Sequence, residues 1–199
     1  SQTAPTIITG QTAETSIATD DTILIHDTSA SALRKMTRAN FVSGIGGTNT
    51  PAFEAYLGGS GGQSVSDNTV TLVQASTEVY DTDSAYDTST YRFTPQTAGK
   101  YLVYASIQTE SGSGSNLNAS YLYFKLNGGS NILESSNDYY NNQIRADIIQ
   151  GSMIVDMNGS SDYVELYGRI DSISGSGQLF ESDSQFARAT HFGAYRILT

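Results

Sequence analysis

Pro51-Ala-Phe-Glu-Ala-Tyr-Leu57 alternates, with Phe53, Ala55 and Leu57 on one side of an extended chain. A period of two marks a half-buried strand, not a helix. Thr77-Glu-Val-Tyr-Asp81, Tyr86-Asp87, Tyr91-Arg-Phe-Thr-Pro95 and Gly99-Lys-Tyr101 follow at short spacing. Aromatic and β-branched residues broken by turn formers continue the all-β reading.

Further strands extend from this stretch in both directions. Val70 and Leu72 are placed on one face of the next strand, and Tyr101, Val103, Ala105 and Ile107 on one face of a later one. Leu122, Phe124 and Leu126 alternate, and Asn127-Gly128 then supplies a hairpin turn. Met153, Val155 and Met157 alternate, as do Val164 and Leu166 against Tyr163, Glu165 and Tyr167. Phe192, Ala194, Arg196 and Leu198 form one face of the last strand, with Tyr195 and Ile197 on the other. Gly58–Gly62 and Glu110–Ser115 read as loops. Short strands at this spacing indicate a sandwich or jelly roll.

The chain has 199 residues, 38% of them hydrophobic, enough for one sizeable β domain plus an accessory segment. A net charge of −10 argues against nucleic acid or anionic lipid as partners. There is no Cys, so packing must hold the fold and thiolate-bound zinc is excluded. Ser1-Gln-Thr-Ala-Pro-Thr6 lacks the pattern of a signal peptide, and no apolar run could span a bilayer as a helix. If the protein works outside a cell, it leaves by another route, and release by lysis is one such route.

Residues 1–18 are polar and cannot form a core alone. They read as a tail or as an attachment segment that orders against a partner. Asp20–Asp27 and Ala32–Met36 are expected to pair as a hairpin across Thr28–Ser31. Thr37 suits the N-cap of a short helix, Arg38–Val42, stopped by Gly44. A lone hairpin is marginal in water, so Leu24, Leu33, Met36 and Phe41 are expected to pack against neighbouring chains. Gly44–Thr50 reads as a linker, giving residues 1–48 as an attachment or trimerisation segment and 49–199 as the head.

The series Ala52-Phe-x-Ala55, Phe93-Thr-x-Pro95 and Gly99-x-Tyr101 resembles the opening half of a C1q/TNF-like domain. Lys125–Gly128, Asp162–Leu166 and Phe192–Leu198 are similar to later strands of that family, with an insertion at Ser160 and Ser161. The resemblance covers about residues 49–199. It implies a jelly roll that assembles as a homotrimer and binds at surfaces without being an enzyme. It also places Phe53, Tyr101, Phe192 and Tyr195 as core aromatics near the trimer axis or the inner sheet. The hairpin and short helix resemble a small module of bacteriophage tail fibres. That module stands where many family members carry a collagen stalk, and no collagen repeat is present.

Among groups that could carry chemistry, Asp81, Asp83 and Asp87 lie within seven residues and could hold Ca²⁺. The alternative is a solvated turn, and no other cofactor is expected. His26 and His191 read as ordinary strand residues rather than a metal pair. Without Cys, and without Gly-x-Ser-x-Gly, no nucleophilic triad is legible. Glu165 and Asp171 could be paired carboxylates of a glycosidase or simply surface acids. Asn137-Asp-Tyr-Tyr-Asn-Asn142 is the candidate binding loop, since Tyr stacks on sugar faces and Asn and Asp bond hydroxyls. Its bland alternative is a polar hairpin with one buried Tyr. Ser111–Asn118 and Ser174–Gln178 are further tips that could line the same surface.

The expectation is a homotrimeric bacteriophage virion protein, made in the host cytoplasm. It would be a tail fibre or fibre tip whose head binds a host-surface glycan or protein. Residues 1–48 would join other virion proteins. The alternative is a capsid decoration or cement protein at three-fold positions.

Overall fold

The computed structural model describes residues 16–43, 49–59, 61–112, 114–173, 178–182 and 188–197. The chain divides into two compact units, Ser1–Gly47 and Thr48–Thr199.

In the first unit, β1 (Thr22–Asp27) pairs antiparallel with β2 (Ala32–Thr37), in register from Thr22↔Thr37 to Asp27↔Ala32. Asp27 closes the turn by accepting bonds from the Ser29 hydroxyl and the Ala30 N–H. The hydroxyl of Thr37 caps α1 (Arg38–Val42) by accepting the Asn40 N–H at 3.3 Å. The expected stop at Gly44 and the linker after it fall largely outside the described residues. No residue of 16–43 is buried within the chain.

The second unit is a sandwich of antiparallel strands. One sheet has the order β11-β10-β13-β8-β7, with β5 on β13. Its strands are β5 (Thr71–Leu72), β7 (Tyr86–Asp87), β8 (Arg92–Phe93), β10 (Leu117–Leu126), β11 (Asn131–Asp138) and β13 (Val164–Ser172). The other has the order β4-β14-β9-β15-β3-β6, with β12 on β9. It comprises β3 (Ala52–Tyr56), β4 (Gln63–Ser64), β6 (Thr77–Asp81), β9 (Gly99–Glu110), β12 (Ala146–Met157), β14 (Leu179–Phe180) and β15 (His191–Arg196). Two antiparallel sheets packed face to face in this way form a jelly roll.

Alternation decides what faces inward. Phe53, Ala55, Tyr101, Val103, Ile107, Leu122, Phe124, Val164, Leu166, Phe192 and Ala194 are all buried. Phe53 lies at the centre. Its ring stacks on Tyr86 at 4.4 Å and on Phe93 at 4.7 Å, and meets Phe192 edge-on at 5.0 Å. The cluster therefore joins β3 and β15 of one sheet to β7 and β8 of the other. Asn127 and Gly128 take φ of 55° and 65°, the left-handed pair that a two-residue hairpin turn requires.

Several expectations are corrected. Val70 is exposed, and the chain enters the core through Val73 and Ala75 instead, because β5 pairs with β13 over only two residues. Tyr195 is half-buried on the outward side of its sheet, with its ring 6.5 Å from Tyr104. Leu198 lies outside the described residues. Asn118 is no loop tip but a buried residue of β10, and Ser111 is buried too.

Replacing Phe53 with Ala should cost about 3–5 kcal/mol, read from the urea midpoint. A loss near 1 kcal/mol would show that the stack does not anchor the two sheets.

Candidate binding surface

The predicted binding loop divides into a fixed half and a free half. Asn137 and Asp138 end β11 rather than lying in the loop. The Asn137 amide donates to Asp147 Oδ2 at 2.9 Å, which takes that side chain out of the surface. Asp138 accepts the Tyr140 N–H at 2.9 Å and turns the chain. Tyr139 packs against the core, and its N–H bonds the Asn118 carbonyl at 2.6 Å. Burial, then a hydrogen bond to the Asp147 carboxylate, pushes the Tyr139 hydroxyl up to about 12. The Asn142 N–H closes the loop on the Tyr139 carbonyl at 2.8 Å. Gln143 ties it down by donating to Asn118 Oδ1 at 3.0 Å and to the Tyr140 carbonyl.

Tyr140 is left 69% exposed on this braced support. Asp138, Tyr139, Tyr140, Asn141, Asn142 and Ile144 line an open cleft of ≈ 420 Å³. Five of the six predicted residues therefore come together. Gln143 and Ile144 were missed, since neither carries a local signal of its role. Register places the cleft at one end of the sandwich. β12 begins beside Glu110, and the chain enters this unit at Asn49, whose carbonyl accepts the Arg196 N–H next to Tyr101. Nine residues of β9 separate those levels, about 30 Å at strand rise.

The predicted metal ligands are not gathered. Among the described residues, no three His, Asp or Glu side chains stand close enough to hold an ion. Asp81 accepts the N–H groups of Ala85 and Tyr86 at 3.0 and 3.1 Å, which delivers Tyr86 to the Phe53 stack. Asp83 and Ser84 take positive φ in the same turn. Asp87 accepts the Ser89 N–H and the hydroxyls of Ser89 and Thr90. The Ser89 side chain and backbone, then Thr90, hold the Asp87 carboxyl down to about 2. His191 Nδ1 lies 2.8 Å from the Arg188 carbonyl oxygen. Glu165 and Asp171 are six residues apart on one strand, about 20 Å, too far for a glycosidase pair.

The outward faces of the two sheets differ. On the six-stranded sheet, Arg92 lies 4.2 Å from the Tyr163 ring centroid, Lys125 4.6 Å from that of Tyr167 and Arg169 3.7 Å from that of Tyr121. Arg92 also pairs with Glu165 at 2.9 Å, and this roof leaves Glu165 only 2% exposed. Ring and ion pairing engage these cations, but Arg169 Nε is buried without a hydrogen-bond partner. On the seven-stranded sheet, Ile148 and Ile154 of β12 stand 48% and 56% exposed. Tyr104 donates to Glu54 Oε2 at 3.0 Å, and Arg188 pairs with the same carboxylate at 3.2 Å. Gly193 makes room for the Tyr104 ring, since a Cβ there would lie 2.4 Å from it. Beside these, Tyr104, Gln150, Ser152 and His191 line a shallow groove of ≈ 440 Å³.

No protein-family model matches the sequence, and no curated protein matches it. Among solved structures, the globular domain of the zebrafish complement 1qA protein is similar in fold, with a TM-score of 0.53 at 13% identity. The match covers 74% of this chain and 97% of that one. The Eiger TNF structure from S. frugiperda aligns with a TM-score of 0.49 at 14% identity, covering 74% and 92%. The zebrafish match supports a C1q-like fold.

Asp87 gives a test of the turn. Its folded pKa lies below the ordinary 3.8, so its contribution to stability is complete above about pH 4 and lost as pH falls through about 2. Asp87→Asn should flatten the decline in urea midpoint across that window. An unchanged slope would remove the assigned role.

Proposed function

We propose that the chain is a homotrimeric structural protein of a bacteriophage virion, a tail fibre or fibre tip, whose head adheres to a host-surface glycan or protein. The observation that carries the reading is Tyr140, exposed on a braced loop at the end of the head opposite the chain's entry at Asn49. A head held from its entry side would present that loop outward. One free ring over a cleft of Asn, Asp and Tyr groups suits stacking on a sugar, with amides and carboxylates bonding its hydroxyls. The mechanism is adhesion without bond breaking, and three identical weak sites on one axis would gain strength by avidity.

The outward face of the seven-stranded sheet supports the trimer. Ile148 and Ile154 leave large apolar side chains exposed along β12, while on the opposite sheet Arg92, Lys125 and Arg169 lie over tyrosine rings. The net charge of −10 per chain makes assembly easier as salt screens the heads.

Two variants test the two halves. Ile154→Asp should convert a species of three 21.3 kDa chains to monomer in light scattering at micromolar concentration. Tyr140→Ala should keep the trimer and its melting temperature yet weaken binding of labelled protein to host cells at least about tenfold. A monomeric wild type would remove the trimer reading, and undiminished binding by Tyr140→Ala would remove the loop.

A further inference from the structure

Every group that lines the Tyr140 cleft is neutral or acidic. Asp138, Tyr139, Tyr140, Asn141, Asn142 and Ile144 form it, with no Lys, Arg or His among them. One Asp138 oxygen accepts the Tyr140 N–H at 2.9 Å, and the other has no partner among the described residues. Asp147 stands behind the cleft as a second carboxylate, tied to the Asn137 amide at 2.9 Å and to the Tyr139 hydroxyl. Neither acid is in an ion pair among the described residues. Arg145 is the nearest base in the sequence, and it pairs with Glu110 at 3.2 Å. The side chains of Asn141 and Asn142 are exposed, and their amides have no hydrogen-bond partner among the described residues.

These groups select among sugars by charge. A carboxylate, sulfate or phosphate on the ligand would lie beside Asp138 and find no cation to answer it. A hydroxyl finds the opposite. The open carboxylate oxygen accepts from it, and the two carboxamides both donate and accept. The Tyr140 ring supplies a flat apolar support for the sugar face. The net charge of −10 gives the surrounding surface the same sign as Asp138. At ≈ 420 Å³ the cleft lies near the lower end of small-molecule sites, room for a terminal sugar rather than a long chain.

We propose that the cleft takes a terminal sugar without negative charge, and that Asp138 is the residue that turns acidic sugars away. This rests on the glycan-binding reading of the same loop and adds the chemical class of its ligand. Asp138 has two roles that one substitution separates. Its oxygen forms the turn, which an Asn side-chain carbonyl also does. Its charge discriminates, and Asn has none.

The experiment probes immobilised neutral glycans (mannan, dextran and N-acetylglucosamine oligomers) and acidic ones (polysialic acid and polygalacturonate) with the full-length protein. It should bind at least one neutral glycan in a manner lost in Tyr140→Ala, and the acidic ones at least about tenfold more weakly. Asp138→Asn should keep the melting temperature, keep neutral binding within about twofold and narrow the gap to acidic glycans at least about fivefold. A preference for acidic glycans would overturn this inference and leave the glycan reading standing. A gap that Asp138→Asn leaves unchanged would remove Asp138 as the discriminating residue. Tyr140-dependent binding to none of the panel would overturn the glycan reading and this inference together.

Discussion

The stack centred on Phe53 is the constraint on which the rest of the head depends. Two sheets of a sandwich share no backbone hydrogen bonds across the core, so side chains alone set their spacing and angle. Here four rings from both sheets meet within 4.4–6.0 Å. The short strands β7 and β8 exist to bring Tyr86 and Phe93 to that point. The hydroxyl of Tyr86 still needs a partner in the interior and finds the Ala75 carbonyl at 2.9 Å. Burial holds that phenol far above its ordinary range, so it stays neutral.

Once the sheets are locked, each outward face has its own character. Cross-strand pairing sets Tyr121 opposite Arg169 and Lys125 opposite Glu165, which yields a face where cations lie over rings, with Arg169 Nε left without a hydrogen-bond partner. The other sheet turns isoleucines and a hydrogen-bonded tyrosine cluster to the outside. The same alternation that built the core thus separated a face of cations over rings from one of exposed isoleucines. In the hairpin unit none of the described residues 16–43 is buried, and Ile23, Ile25 and Met36 are partly covered.

Asp81, Asp83 and Asp87 show how a sequence signal for chemistry can be a signal for conformation. Carboxylates are good acceptors for the free N–H groups of a turn, and that need places them at the same spacing as metal ligands. Their density is legible in the chain. Whether their oxygens converge on an ion or each bond their own backbone depends on φ and ψ, which composition does not report.

By itself, the sequence determined the period-two strands, the all-β class, the Asn127-Gly128 turn, the Thr37 cap and the general place of the Tyr-rich loop. These are local, since alternation and turn chemistry act over a few residues. Only the tertiary structure decided that Tyr139 is anchor and Tyr140 is free. Asn118, brought in on β10, makes that distinction together with the nearby Gln143 and Asp147. It likewise decided that Glu165 is buried under Arg92 from 73 residues away, and that the core entry is Val73 rather than Val70. Such choices follow from which strand lies beside which, and pairing between distant segments leaves no mark in either segment alone.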